Sequence, residues 1–134
     1  MIQSMKRFNQ FIDFSGITVG TIRPTDSDGE IEYHDKAWIF FEIKYNGKLI
    51  PYGQRVALER KINDLQRGGK EAVLFIADHD IEDAEIDVDA AACHVRCYYY
   101  RGTWYNGDER NLKEFVDAFI KYVDSMPSFV GVTV

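Results

Sequence analysis

Two stretches of the chain are apolar almost without a break, and both read as strands buried on two faces. Residues 38–45 (Trp-Ile-Phe-Phe-Glu-Ile-Lys-Tyr) carry bulky side chains at even and odd positions through their first half, as a central strand covered on each side does. Residues 71–77 repeat the pattern with Ala72-Val73-Leu74-Phe75-Ile76-Ala77. Between them, 54–67 places Val56, Leu58, Ile62 and Leu65 at helical spacing and closes on Gly68-Gly69. Strand, helix, strand in that order predicts a parallel crossover unit, which should be right-handed.

The rest of the chain punctuates and flanks this unit. Glu30-Ile31-Glu32-Tyr33 alternates as a short strand, and His34-Asp35-Lys36 is a polar break before the first apolar run. Residues 93–100 predict a further strand with Val95, Cys97 and Tyr99 on one side. Arg101-Gly102 and Asn106-Gly107-Asp108 read as bend and turn. Residues 110–124 form an amphipathic helix through Leu112, Phe115, Val116, Phe119, Ile120 and Val123. Weaker patterns predict a short helix at 5–12, a strand or extended arm at 17–22, and an edge strand in the tail 128–134. The fold class is α/β: one domain over residues 1–134, a mixed central sheet flanked by helices.

Charge then narrows the function. A formal charge of −6 argues against a protein that coats nucleic acid non-specifically, but a metal site needs carboxylates and tolerates an acidic whole. No apolar run is long enough to span a bilayer and no signal-peptide core opens the chain, so a cytoplasmic protein without a membrane partner is expected. Cys93 and Cys97 are the only cysteines; with His94 they offer three zinc-type ligands, but two buried thiols on a strand is the preferred reading. The acidic run 78–89 reads as a solvated loop and edge. Tyr98-Tyr99-Tyr100 and Trp104-Tyr105 could stack on bases, although strand aromatics more often fill a core or an interface.

The informative chemistry is Glu42-Ile43-Lys44. Residues two apart on a strand share a face, so a carboxylate and an ammonium emerge together at the end of an apolar strand. A hairpin pivoting on Asp35 sets Asp28 opposite Glu42 and Asp26 opposite Lys44, collecting acids and one amine on one patch. A slip of one residue would move Asp28 off that face. Opposed carboxylates repel, and a divalent cation with oxygen ligands relieves the repulsion; Mg2+ (or Mn2+) also keeps waters for a substrate phosphate. A cross-strand ion-pair cluster is the plain alternative.

Asp28, a strand, a short turn, an apolar strand and Glu42-Ile43-Lys44 together resemble the PD-(D/E)XK nuclease superfamily over about residues 20 to 80. The resemblance implies a restriction-endonuclease-like fold and Mg2+-dependent hydrolysis of DNA, with RNA open as a substrate. It makes Asp28, Glu42 and the Ile43 carbonyl the metal ligands and Lys44 the catalytic lysine. It also brings in Gln54, although Leu58 stands where several subfamilies have tyrosine. Asp26 rivals Asp28, because the stretch Arg23 to Gly29 lacks a literal Pro-Asp pair, and only Asp13 is available as a further acid upstream. The resemblance also suggests a phage or mobile-element setting. A chain this small offers little nucleic-acid surface, which argues for a homodimer or a larger complex. The alternative is a catalytically inactive module of the same fold that binds a protein or nucleic-acid partner. Basic residues at Lys48, Arg55, Arg60, Lys61 and Arg67, with Lys6 and Arg7, are candidate phosphate contacts beside the plain reading of a solvated helix face.

Overall fold

A computed structural model describes Gly16, Gly20, Thr21 and residues 28–127. The expected helix at 5–12, most of the expected arm at 17–22, the tail 128–134, and Asp13 and Asp26 lie outside the described residues.

Among the described residues, five strands form one mixed sheet in chain order: β1 (Gly29–Tyr33), β2 (Ala37–Tyr45), β3 (Glu71–His79), β4 (His94–Tyr100) and β5 (Thr103–Asn106). Of these, only β2 and β3 run parallel, as the strand–helix–strand pattern predicts, and α1 (Tyr52–Arg67) makes the crossover between them. The other three pairings are antiparallel. α2 (Leu112–Asp124) covers the opposite face, its start fixed by a capping box between Asn111 and Glu114.

The two helices divide the core into two layers. On the α2 side, Ile39, Val73, Phe75 and Val95 pack against Phe115, Val116 and Phe119. On the α1 side, Phe40, Leu74, Ile76 and Tyr99 pack against Leu58 and Ile62. β2 and β3 supply both layers, which is why they read as unbroken apolar runs rather than alternating ones.

The β1–β2 hairpin turns through His34 and Asp35, both at positive φ (48° and 61°), and pairs Gly29 with Phe41 through to Tyr33 with Ala37. This is the register pivoting on Asp35 that the sequence predicts. The Phe41 ring lies over Gly29, where a Cβ would meet it at 2.1 Å, so a larger residue at 29 would have to displace that ring. Tyr33 then ties the hairpin to α2 by donating to Asp124 at 2.6 Å.

Three expectations are corrected. The four-residue edge strand β5 occupies a region expected to hold only a bend and a turn. Asp78 and His79 belong to β3, so the solvated acidic loop begins after them. β4 does not keep Val95, Cys97 and Tyr99 on one side. Ile76 pairs with Cys97 while the next residue, Ala77, pairs with Val95, leaving Arg96 as an extra residue. This bulge switches the facing between its two flanks, so Val95 joins the α2-side core while Cys97 and Tyr99 join the α1 side.

Candidate functional site

Alternation along β2 puts Phe41 and Ile43 on the α2 side and Phe40, Glu42 and Lys44 on the α1 side. Glu42 is therefore drawn into the apolar layer and is 1% exposed. Taking a carboxylate out of water this completely is costly, and a fold keeps one there for a reason other than packing. Lys44, one full repeat further along the strand, brings its Nζ to 4.0 Å from Glu42 Oε2 and keeps a 22% exposed side chain. The ammonium thus stands between the buried carboxylate and solvent.

Asp28 immediately precedes β1, and the ladder continued by one step sets it opposite Glu42. Its Oδ2 accepts a hydrogen bond from the main-chain N–H of Ile43 at 2.7 Å. A strand residue directs its N–H and C=O to the same edge, so the Ile43 carbonyl also faces the edge where the Asp28 carboxylate sits. Asp28 is exposed.

Four of the five predicted residues are thus brought together: Asp28, Glu42, Ile43 and Lys44 gather at one end of the β1–β2 pair. Gln54 lies in the first turn of α1, half-buried, on the helix that covers the face carrying Glu42 and Lys44.

The neighbouring strands add a pair that sequence reasoning missed. Glu42 and Lys44 are register partners of Ile76 and Asp78 on β3. Arg96, the bulged residue of β4, donates from Nε to Asp78 Oδ2 at 3.0 Å and from Nη2 to Asp78 Oδ1 at 2.5 Å. These bonds from Arg96 hold the Asp78 carboxyl below its ordinary range despite the opposing effect of burial. Arg96 Nη2 also donates to the Lys48 carbonyl at 2.9 Å, fastening the segment that leaves β2. The only sequence signal for this pair was an acid at the end of an apolar run.

Other candidates resolve more plainly. Cys93 is buried and Cys97 half-buried, both are free thiols, and burial pushes both pKa values up. His79 accepts at Nδ1 from the Ile81 N–H at 3.1 Å, and its ring lies 5.4 Å from Tyr45. Three of the basic helix residues face acids: Lys61 with Glu30, Arg55 with Glu59, and Arg67 with Asp64. Among the described residues, no three or more His, Cys, Asp or Glu side chains are grouped to hold a metal, and no helix is long and apolar enough to cross a membrane.

The oxygen donors at this end of the β1–β2 pair are two carboxylates and one peptide carbonyl, with one ammonium beside Glu42. That set fits a hard cation such as Mg2+, which takes few protein ligands and completes its shell with water and phosphate oxygens. No family model, curated protein or solved structure matches the chain.

Proposed function

We propose that this protein is a metal-dependent nuclease that hydrolyses DNA phosphodiesters, with a restriction-endonuclease-like fold and a site of the PD-(D/E)XK kind at Asp28, Glu42 and Lys44. One observation carries the reading: the Asp35-centred register brings Asp28 to Ile43 and Glu42, with Lys44 on the Glu42 face. Asp28, Glu42 and the Ile43 carbonyl would hold Mg2+ or Mn2+. When bound, the ion supplies Lewis acidity: it lowers the pKa of a water and offsets charge on phosphate oxygens.

The chain's own residues divide the remaining work. Glu42, buried and anchored on a central strand, fixes the position of negative charge in a poorly solvated environment. Asp28 is oriented by the Ile43 N–H, which holds one of its carboxylate oxygens. Lys44 Nζ, near Glu42 yet open to solvent, orients the attacking water and stabilises the charge that grows on phosphorus-bound oxygens. Gln54, at the start of α1, is assigned a supporting contact to the substrate or its water. The free thiols suit a reducing, cytoplasmic setting. A homodimer or host complex would enlarge the surface for DNA.

A second reading, a non-catalytic binding module, is favoured by one feature: the Asp28–Ile43 bond also suffices to end the β1–β2 ladder as a purely structural cap. The deciding experiment incubates the protein with plasmid, single-stranded DNA and RNA in Mg2+, Mn2+ or EDTA, beside Glu42→Ala and Lys44→Ala. Cleavage that disappears in EDTA and in both variants is expected. Saturating metal, at about a hundred times its Kd, should also stabilise the fold by about 2.7 kcal/mol in the parent. No cleavage of any substrate, together with no metal-induced stabilisation, would leave the binding module.

A further inference from the structure

A cavity of about 280 Å³ opens one strand away from Glu42, on the same face of the sheet. Ile76, the register partner of Glu42, forms part of its wall, and neighbouring strands are only about 4.8 Å apart. We infer that this cavity receives an unpaired nucleobase from a single-stranded DNA substrate, next to the phosphodiester presented to Asp28, Glu42 and Lys44. The inference rests on the nuclease reading for its neighbour site and adds the substrate class.

The lining is what a base requires. Trp104 contributes an indole whose Nε1–H donates to Glu59 Oε2 at 2.7 Å, and whose ring centroid lies 5.1 Å from that of Tyr99. The indole is therefore held on its edge and packed on a neighbour, a pre-set aromatic wall. Ile50 and Ile76 add apolar contact. Leu49, 85% exposed, and Tyr52, 75% exposed, lie in the segment that leads from β2 into α1. Exposing two large apolar side chains beside a polar site has a use if a flat ring system passes between water and the cavity.

Charge selects the occupant. The protein carries −6 overall, yet the two ionisable side chains of this lining other than the Cys97 thiol are Arg55 and Arg96. Arg96 is committed to Asp78 and the Lys48 carbonyl, so it shapes the wall. Arg55 has a 48% exposed side chain only 4.0 Å from Glu59 at its nearest, a loose pairing that a phosphate can displace. An apolar, aromatic cavity with one loosely paired arginine, Arg55, at its rim beside a phosphate-cleaving site suits a nucleotide better than an aliphatic side chain of a partner protein. Its volume falls just below the range of roughly 300–1,000 Å³ typical of drug-sized ligands, which fits one ring system. Base-paired DNA keeps its bases stacked in the helix, so only an unpaired or extruded base reaches such a side cavity.

The test needs no variant to begin. The full chain in EDTA is titrated with a short thymidine oligonucleotide, an abasic oligonucleotide of the same length, and a duplex, with tryptophan fluorescence and anisotropy as readouts. The thymidine strand is expected to quench fluorescence and to bind roughly tenfold tighter than the abasic strand, the scale of one base–aromatic stack. Trp104→Phe should remove the quenching and leave the emission of Trp38 as background, and Arg55→Ala should weaken binding while leaving the quench at saturation. Equal affinity for abasic and thymidine strands, or duplex binding with the same quench, would overturn the inference. Base-dependent quenching by a protein that cleaves nothing would keep the cavity and remove the nuclease. Metal-dependent cleavage without any base dependence would remove the cavity alone.

Discussion

Lys44 and Asp78 are register partners on adjacent parallel strands, yet the Asp78 carboxylate is held by Arg96. Partners in register share a sheet face with their Cβ atoms about 5 Å apart, so Asp78 is an alternative carboxylate within reach of Lys44. By engaging both oxygens of Asp78, Arg96 leaves Lys44 to Glu42 and to solvent. Arg96→Leu should therefore release Asp78 to draw Lys44 away from the site. Cleavage is expected to fall by roughly 10- to 100-fold, the usual cost of disturbing a group that orients a site. Adding Asp78→Asn to Arg96→Leu removes the competitor, and activity should recover in the double-mutant cycle. If the second change deepens the loss, Arg96 does not act through Lys44.

Glu42 offers a test that separates chemistry from architecture. A carboxylate 1% exposed at the end of an apolar strand opposes folding unless its charge is balanced, and amides of the same shape are cheaper to bury. Glu42→Gln should leave the denaturation midpoint unchanged or higher in the absence of metal, while cleavage falls by at least roughly a hundredfold, the scale of losing one group that acts on transition-state charge. Urea unfolding in EDTA checks the first half and a cleavage assay the second. Should Glu42→Gln destabilise the metal-free fold by more than about 2 kcal/mol, the carboxylate is a structural ion-pair partner of Lys44.

The parts of this fold that were legible in the sequence are those governed by local burial. Runs 38–45 and 71–77 are apolar on both faces because helices cover both, and Phe115, Val116 and Phe119 keep helical spacing because one side of α2 packs on the sheet. The hairpin register was legible as well, since a three-residue polar break leaves little freedom in where the chain reverses. What was not legible depends on distant partners. The four residues of β5 are mostly exposed and show no alternation; only pairing with β4 makes them a strand. The bulge at Arg96 shifts every later facing by one, and no residue type announces it. Asp78 looked like the first member of an acidic loop because its cation lies far along the chain. Spacing placed Asp28 beside Glu42, but its bond to the Ile43 N–H depends on where the ladder ends.

The bulge is held by a backbone contact that admits no side chain. Gly107 donates its N–H to the Arg96 carbonyl at 2.9 Å, and a Cβ at position 107 would lie 1.9 Å from the Val95 carbonyl oxygen. Neither neighbour is the end of a flexible side chain, so the backbone itself must move. Gly107→Ala should destabilise the fold by about 1–3 kcal/mol, as overpacking does, and should loosen the Arg96–Asp78 pair at the same time. Thermal unfolding measures the first effect and hydrogen exchange at the β4 amides locates the second. Unchanged stability would mean that the turn after β5 yields without disturbing β4.

The same ion pair predicts how the fold responds to acid. Arg96 keeps Asp78 ionised below the ordinary carboxyl value of 3.8. The unfolded chain therefore binds the Asp78 proton first as the pH falls, which favours unfolding, so across that window stability rises with pH. The contribution is complete above the unfolded value and is lost as the pH drops below it through the lowered folded value. Glu71, Asp108 and Asp124 are also lowered, so acid unfolding of the parent reports all four together. The difference between parent and Asp78→Asn isolates one of them. That difference should be constant above about pH 5 and shrink steadily toward about pH 2. A difference that stays flat through this interval would show that Asp78 carries no extra protonation linkage, and that Arg96 holds the segment after β2 through the Lys48 carbonyl alone.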